Sequence, residues 1–591
     1  MANNFNFLNI LEFRKFLTII EIGNKKNLIF LFIFMVIAGF LEMLSIGIII
    51  PLVNLIFNPE VSGNKIFEFI PKLSKNYLSF NYINILILVI FFVYFLKYLF
   101  LVFYTFFQAK ILLVIKAEIT KKLFKHYLLK RNYAFHLKKN SALLIRNTTQ
   151  EVDTLMNSFI GPFFTFFLLS LTSMFVVSLL FYYSFVSSLV VLFIFGMFGI
   201  SLALFIRGKI RIIGKRRQTH AFGSLKNLQE GLALIKEIKL SSMEKFFLSK
   251  FRFHIDAMIP LGIKRTVFGV LPKITFEFIF ITIALGMIVY INSMKLPFEE
   301  FFTIFVIYVF AAYRIIPSLS GLSVAYQKMK FGVVSLELII KELEDKDHDI
   351  KIFINPANNN FKFKEEIEVK DLSFNYENNK KLVLDKLNLK IKKNTCVGIV
   401  GSNAAGKSTL INLVCGLINP KNGEILVDQK NIFDDINGWQ KLIGFIPQSI
   451  YLIDDNVQNN IALGVDEENI DKEKVKKLII LTGLSETLSP EDLVGEGGKN
   501  ISGGQKQKIG IARALYREPK VLIYDEPTSA MDLDSEEYLT ETIFNQAKEK
   551  TLIIISHREK VLRYCDFVYK LENKNISLVD LKNINLNKLD N

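Results

Sequence analysis

Residues Gly401-Ser402-Asn403-Ala404-Ala405-Gly406-Lys407-Ser408 place two glycines around four small residues and end on a lysine and a hydroxyl. The apolar run Cys396–Val400 precedes them, and a helix-forming stretch opening with Thr409 follows. Strand, glycine loop and helix start, in that order, make a phosphate cradle. The glycines let the backbone wrap phosphate oxygens with its N–H groups, and the helix N-terminus adds a positive dipole end. Lys407 then reaches the β- and γ-phosphates, and Ser408 offers an oxygen to Mg²⁺. A second apolar run, Val521–Tyr524, ends in Asp525-Glu526. Asp525 is expected to bind Mg²⁺ directly or through water. Glu526 is placed to polarise a water for attack on the γ-phosphate. The chemistry implied is nucleoside triphosphate hydrolysis, with ATP and Mg²⁺ as cofactors.

Between these elements lies Ile501-Ser502-Gly503-Gly504-Gln505. It resembles the signature sequence of ABC ATPases, with Ile501 for the usual leucine, and the resemblance extends over the whole chain. Tyr376 looks like the aromatic residue that stacks on adenine, and it offers a flat apolar face for a purine. Gln448 resembles the glutamine loop, which ligates metal and reports the γ-phosphate to the rest of the chain. Ser529-Ala530-Met531-Asp532 resembles the D-loop. His557, after the run Leu552–Ser556, looks like the switch histidine that positions the attacking water. Val494-Gly495-Glu496-Gly497-Gly498 resembles the extra loop of exporters in this family.

Something must hold these groups, and the composition shows two unlike halves. The chain has 591 residues, 51% of them hydrophobic, with a net charge of +16. That content excludes disorder. The last 231 residues, from 361 on, sum to about −3, and the first 360 to about +19. The soluble half is therefore slightly acidic, which argues against a nucleic-acid partner. Cys396, Cys415 and Cys565 all lie in that half without CxxC spacing, as expected of reduced buried thiols.

The first half holds six apolar stretches, near 27–51, 83–107, 159–183, 185–206, 267–292 and 301–326. A hydrocarbon core of about 30 Å takes about 20 helical residues, so each is long enough to cross. Segments 108–158 and 207–266 are rich in Lys and Arg, whereas 58–82 and 293–300 are not. The positive-inside rule puts the basic segments and both termini in the cytoplasm. Their apolar residues recur at helical spacing, as in Leu225, Leu228, Leu232, Ile235 and Ile238. Both are read as spans running on as helices, with bends near Tyr133–His136 and Leu240–Lys245. The domains expected are an interfacial helix at 1–26, a transmembrane domain at 27–345, a linker at 346–362 and an ATPase domain at 363–591.

Glu42, Lys97, Lys273, Glu277 and Arg314 fall in or near the spans. A charge at mid-bilayer costs about 2.5–3.5 kcal/mol on insertion scales. Glu42 and Arg314 lie deepest and are expected to face a water-filled cavity. Lys97 and Lys273 are within reach of the interface by snorkelling. Pro51, Pro272 and Pro317 are candidate kinks. The many phenylalanines and tyrosines are expected to face lipid or fill the core.

The fold class implied is an α-helical six-span membrane domain followed by an α/β P-loop ABC ATPase, the exporter-type (type IV) arrangement. The resemblance implies a dimer in which one subunit's phosphate loop faces the other's Ser502–Gln505. No internal repeat is present, and every ATP-site position matches, so a second copy of the chain is the expected partner. The membrane half looks most like bacterial lipid-linked oligosaccharide flippases of protein glycosylation, in the inner membrane. Carrying that likeness are Glu42 upstream of Pro51, the short amphipathic stretch 66–78, and Ala312-Tyr313-Arg314-Ile315-Ile316-Pro317-Ser318. The substrate implied is a polyprenyl-pyrophosphate glycan, with Arg314 and Glu42 as candidate contacts. A general lipid or drug exporter and an ATP-gated channel or regulatory module are the alternatives.

Overall fold

A computed structural model describes residues 16–18, 20, 22–48, 82–183, 185–294, 298–344, 361–376, 381–526, 541, 544, 549–556 and 558–579. Of the expected interfacial helix only 16–18, 20 and 22–26 are among these residues, while stretch 66–78, Pro51, most of the linker, Asp532 and His557 lie outside them. The chain forms two compact units. One comprises Met1–Leu128 with Lys139–Asp347, the other Leu129–Lys138 with His348–Asn591.

Six long helices dominate the described part of the first unit. They are α1 (Ile22–Gly47), α2 (Tyr82–Leu129), α6 (Gly161–Tyr183), α7 (Phe185–Ala233), α9 (Glu244–Met294) and α10 (Phe298–Glu344). Five windows among the described residues are long and apolar enough to cross a membrane. The sixth expected span lies in α10, where many side chains are outside the described set. Phe91, Val102 and Phe106 of α2 are about two-thirds exposed, as lipid-facing side chains should be. Short α3 (Tyr133–Lys138) follows α2, and α8 (Ile235–Leu240) with a turn at Ser241–Met243 links α7 to α9. The turn at Ser241–Met243 falls within the expected bend at Leu240–Lys245, whereas Tyr133–His136 is itself helical and the breaks lie on either side of α3, at 130–132 and 139–140. Helical spacing alone misses the break at Leu234, between α7 and α8. Pro272 and Pro317 sit inside continuous helices.

The approach to α6 is irregular. Helix α4 (Ser141–Arg146) runs into a π segment, Asn147–Glu151, then α5 (Val152–Leu155), then a second π segment, Met156–Ile160. Wider π turns are rare and commonly mark functional positions. Here the first one presents Glu151, whose side chain is fully buried. Arg217 of α7 approaches it to 2.7 Å and Arg146 to 3.8 Å. Gln218 donates to its other oxygen at 3.2 Å, and Ser335 of α10 does so at 2.5 Å. One carboxylate therefore joins three elements. Beside it, a Cβ on Gly332 would lie 2.6 Å from the Ser158 backbone, so only glycine lets α10 touch the second π segment.

Glu42 departs from the cavity expectation. Its side chain is 3% exposed and pairs at 2.6 Å with Lys97, equally buried. Lys97 also donates to Ser45 at 3.0 Å, so it does not snorkel. Two charges from α1 and α2 neutralise each other, which costs less than leaving either in an apolar medium unpaired.

In the second unit, a six-stranded sheet holds β3 (Cys396–Val400), β6 (Ile443–Ile446), β7 (Val521–Asp525), β8 (Thr551–Ile555), β9 (Phe567–Glu572) and β10 (Asn575–Val579). Their order is β10-β9-β3-β8-β7-β6, parallel except for β10. A four-stranded antiparallel sheet carries β1 (Glu366–Phe374), β2 (Leu384–Lys392), β4 (Asn422–Val427) and β5 (Lys430–Asn431). Strands β3, β7 and β8 are continuous apolar runs because both of their faces are covered. All three cysteines are buried and free.

Arg217→Met withdraws the closest cation from Glu151 and should lower stability by about 3 kcal/mol. Glu151→Gln with Arg217→Met should recover most of it. Thermal unfolding midpoints in detergent decide the matter, and equal losses in both proteins would dismiss the coupling.

Candidate nucleotide site

The loop after β3 turns sharply because Ala404 and Gly406 take left-handed φ values of 64° and 108°. Gly401 is equally constrained, since a Cβ there would sit 2.5 Å from the Leu571 carbonyl oxygen. Helix α11 (Lys407–Val414) starts directly after the turn, so its first N–H groups point into the loop. Ser402, Asn403, Ala404 and Ser408 are exposed around the hollow, whereas Lys407 and Thr409 are buried. The Lys407 ammonium donates to the carbonyls of Gly401 at 2.6 Å and Ser402 at 3.1 Å. Burial pushes its pKa down, and the Glu526 and Asp525 carboxylates pull it back up.

Sheet register gathers the remaining groups. Ile399, Ile555 and Asp525 stand in one row across β3, β8 and β7. Neighbouring strands lie about 4.8 Å apart, so the β3 and β7 ends are about 10 Å apart, a span suited to a phosphate with its metal. Burial raises the Asp525 pKa, and neighbouring Glu526 adds to this while Lys407 opposes it. A bound cation would reverse that balance.

The next row pairs Ile446 of β6 with Tyr524 of β7. Two residues beyond each, Gln448 Nε2 donates to Glu526 Oε2 at 2.8 Å. Glu526 has left-handed φ, 49°, and its N–H donates to the Ile555 carbonyl at 3.1 Å. Strain of this kind, about 1–3 kcal/mol for a non-glycine residue, collects at functional sites. It turns the carboxylate off the strand direction and toward Gln448.

Tyr376 is half-buried, with its ring edge-on to Phe374 at 5.0 Å. Its hydroxyl lies 3.1 Å from the Thr409 hydroxyl, which ties it to the phosphate-loop helix. Ser502 and Gln505 form a reciprocal capping box at the start of α12 (Gly503–Tyr516). Ser502 and Gly503 are exposed, so this helix N-terminus faces solvent. Motif reading missed Arg513 of the same helix. It donates to the carbonyls of Tyr451 at 2.9 Å and Asn460 at 2.8 Å, bracing the segment that follows Gln448. No local pattern could have flagged it, because these acceptors lie 62 and 53 residues away and are backbone groups, joined by the Asn460 side-chain oxygen at 3.1 Å.

The structure thus brings together Gly401–Thr409, Tyr376, Gln448, Asp525 and Glu526. Ser502–Gln505 forms its own cap, Asp532 and His557 lie outside the described residues, and only the backbone of Arg314 is described, inside α10. The loop of backbone donors fits a triphosphate. The oxygen set of Ser408, Gln448 and Asp525 fits Mg²⁺, a hard cation that prefers oxygen ligands.

Comparison with known proteins agrees with this geometry. The ABC transporter family model matches residues 384–529, and the ABC transporter transmembrane region matches residues 27–313. A Staphylococcus aureus protein named for multidrug export, an ATP-binding/permease protein, is 36% identical over 241 residues, 40% of this chain. The match spans only 41% of that relative's length. An ATP-dependent lipid A-core flippase of Paraburkholderia xenovorans is 26% identical over 450 residues, 74% of each chain. A solved bacterial Atm1-family ABC exporter with ATP bound shares the fold, with a TM-score of 0.78 over 94% of both chains at 18% identity.

Thr409→Val removes the hydroxyl that anchors Tyr376. Losing one hydrogen bond of about 1 kcal/mol should raise the KM for ATP about fivefold and leave kcat nearly unchanged. Steady-state hydrolysis at varied ATP concentration measures both, and an unchanged KM would separate the contact from nucleotide binding.

Proposed function

The chain belongs to the ABC transporters, a transmembrane region fused to an ATPase, and on that premise we propose that it exports a lipid-borne substrate at the cost of ATP. The observation that supports this most is the row Ile399–Ile555–Asp525. It sets a phosphate loop beside an Asp-Glu pair in a chain whose other unit is built of apolar helices. Bound ATP with Mg²⁺ would supply the reactive γ-phosphate and neutralise charge on its oxygens. Lys407 and the loop N–H groups hold the phosphates, Glu526 takes a proton from the attacking water, and Gln448 orients Glu526. The nucleotide completes its contacts when Ser502–Gln505 of a second copy closes over it, aided by Asp532 and His557. Binding energy made only in that closed dimer drives alternating access. The bends at Tyr133–His136 and Leu240–Lys245 carry the motion to the spans. Both termini and the ATPase unit lie in the cytoplasm, at the inner membrane of a bacterium.

The substrate proposed is a polyprenyl-pyrophosphate-linked oligosaccharide. Arg314, placed mid-span in α10, and a membrane half near +19 suit an anionic pyrophosphate. Glu42 acts there as the Lys97 counter-ion, leaving Arg314 as the contact. The names of the two relatives favour a second reading, a general lipid or multidrug exporter. Proteoliposomes offered a polyprenyl-pyrophosphate glycan, lipid A-core or amphiphilic dyes separate the two, by which compound moves and stimulates ATPase.

Glu526→Gln should bind ATP yet turn over about 10²–10⁴-fold more slowly. Near-normal hydrolysis would remove Glu526 from the role of base. Arg314→Ala should lower glycan-lipid translocation about 10–100-fold, the worth of a charge-assisted hydrogen bond, while Arg314→Lys keeps most of it. Undiminished translocation in the alanine protein would end the pyrophosphate role.

A further inference from the structure

Two adjoining cavities of about 330 and 320 Å³ run between α9 and α10 in the membrane unit. They share Gly269, Val324 and Lys328, and so form one furrow. Its first part is lined by Arg265, Thr266, Gln327 and Phe331, its second by Thr165, Lys273 and Ser320. Among the described residues, no carboxylate lines either part. Lys273 pairs at 3.8 Å with exposed Glu277, one turn along α9. Arg265 and Lys328 make no ion pair among the described residues. The Arg265 guanidinium is held in place: it lies 4.0 Å above the Phe331 ring and donates to Ser158 Oγ at 3.3 Å.

Gln327 is 7% exposed, and its Oε1 has no hydrogen-bond partner. A buried amide without a partner costs about 1–3 kcal/mol, so an occupant that engages it would recover that loss. Level also matters. Arg265 lies two residues before the span 267–292, and Lys328 two residues after the span 301–326. Antiparallel helices therefore bring both cations to the cytoplasmic edge of the bilayer, about 21 Å along α10 from Arg314. Lipid phosphates occur at that level, with their chains in the hydrocarbon beside them.

We propose that this furrow binds the anionic phosphate headgroup of an inner-leaflet lipid, held by Arg265 and Lys328 with the Gln327 amide turned toward it. The site depends on α9 and α10 being spans, and not on which substrate is exported. Two sources share the chemistry: a resident glycerophospholipid, or a polyprenyl phosphate of the kind that carries glycans.

The test is lipid binding to the delipidated full chain, by native mass spectrometry. The probes are phosphatidylcholine, phosphatidylglycerol and undecaprenyl phosphate, each added alone. The expected result is tight binding of an anionic lipid in preference to phosphatidylcholine. Arg265→Gln with Lys328→Gln should weaken it about tenfold, whereas Arg265→Lys with Lys328→Arg should stay within about threefold. Gln327→Leu, which changes no charge, should weaken it about threefold. Equal affinity for the two anionic lipids would assign the site to resident lipid. Preference for undecaprenyl phosphate would assign it to substrate entry. Binding without preference over phosphatidylcholine, or unaffected in the double glutamine protein, would overturn the site. Because the readout is binding, either result leaves the transport reading to its own assay.

Discussion

Taking a charge out of water costs several kcal/mol unless an opposite charge or a set of dipoles meets it. Much of this chain is organised around that constraint. Glu151 is fully buried in a π turn, and Arg217, Gln218 and Ser335 reach it from two other helices. Glu42 and Lys97 neutralise each other between α1 and α2. Apolar helices pack almost equally well in several registers. A buried carboxylate that needs partners from separate elements leaves far fewer.

The nucleotide unit obeys the same constraint by different means. Lys407 is buried among the carbonyls of its own loop, with the Asp525 and Glu526 carboxylates offsetting the desolvation. Parallel strands bring those carboxylates close, because each strand end delivers its loop to one edge of the sheet. The left-handed Glu526 backbone then aims a side chain that would otherwise follow the strand. Positioning here comes from backbone geometry, and charge adjusts it. The furrow between α9 and α10 is the contrast: Arg265 and Lys328 line it without an ion pair among the described residues, and Lys273 pairs only with exposed Glu277, which is the basis for proposing an anionic ligand there.

The net charge of +16 divides along the same line. Basic residues are concentrated in the membrane half, and Arg265, Lys273 and Lys328 among them line the furrow. The ATPase unit is slightly acidic, and the groups it offers a phosphate are the backbone N–H groups of the loop after β3 and the single Lys407 ammonium. Bulk charge thus says little about the nucleotide site and more about the membrane surface.

The phosphate loop, the Asp-Glu strand end and the apolar spans were legible in the sequence because each is a local property. A glycine loop or an apolar helix needs only its own residues to declare itself. The bend after α8 was legible too, whereas the one expected at Tyr133–His136 lies on either side of α3, and the break at Leu234 left no signal in the helical spacing. What tertiary structure decided is pairing across distance. Gln448 meets Glu526 from 78 residues away, and Ser335 meets Glu151 from 184. Glu42, which by hydropathy alone belonged in a cavity, has Lys97 instead. Tyr376 reads as a free aromatic face until Thr409 is seen to hold its hydroxyl. Sequence determines which groups are available and which segments leave water. Which groups meet is settled only when separate elements pack, because a desolvated charge takes whatever partner the packing brings within about 4 Å.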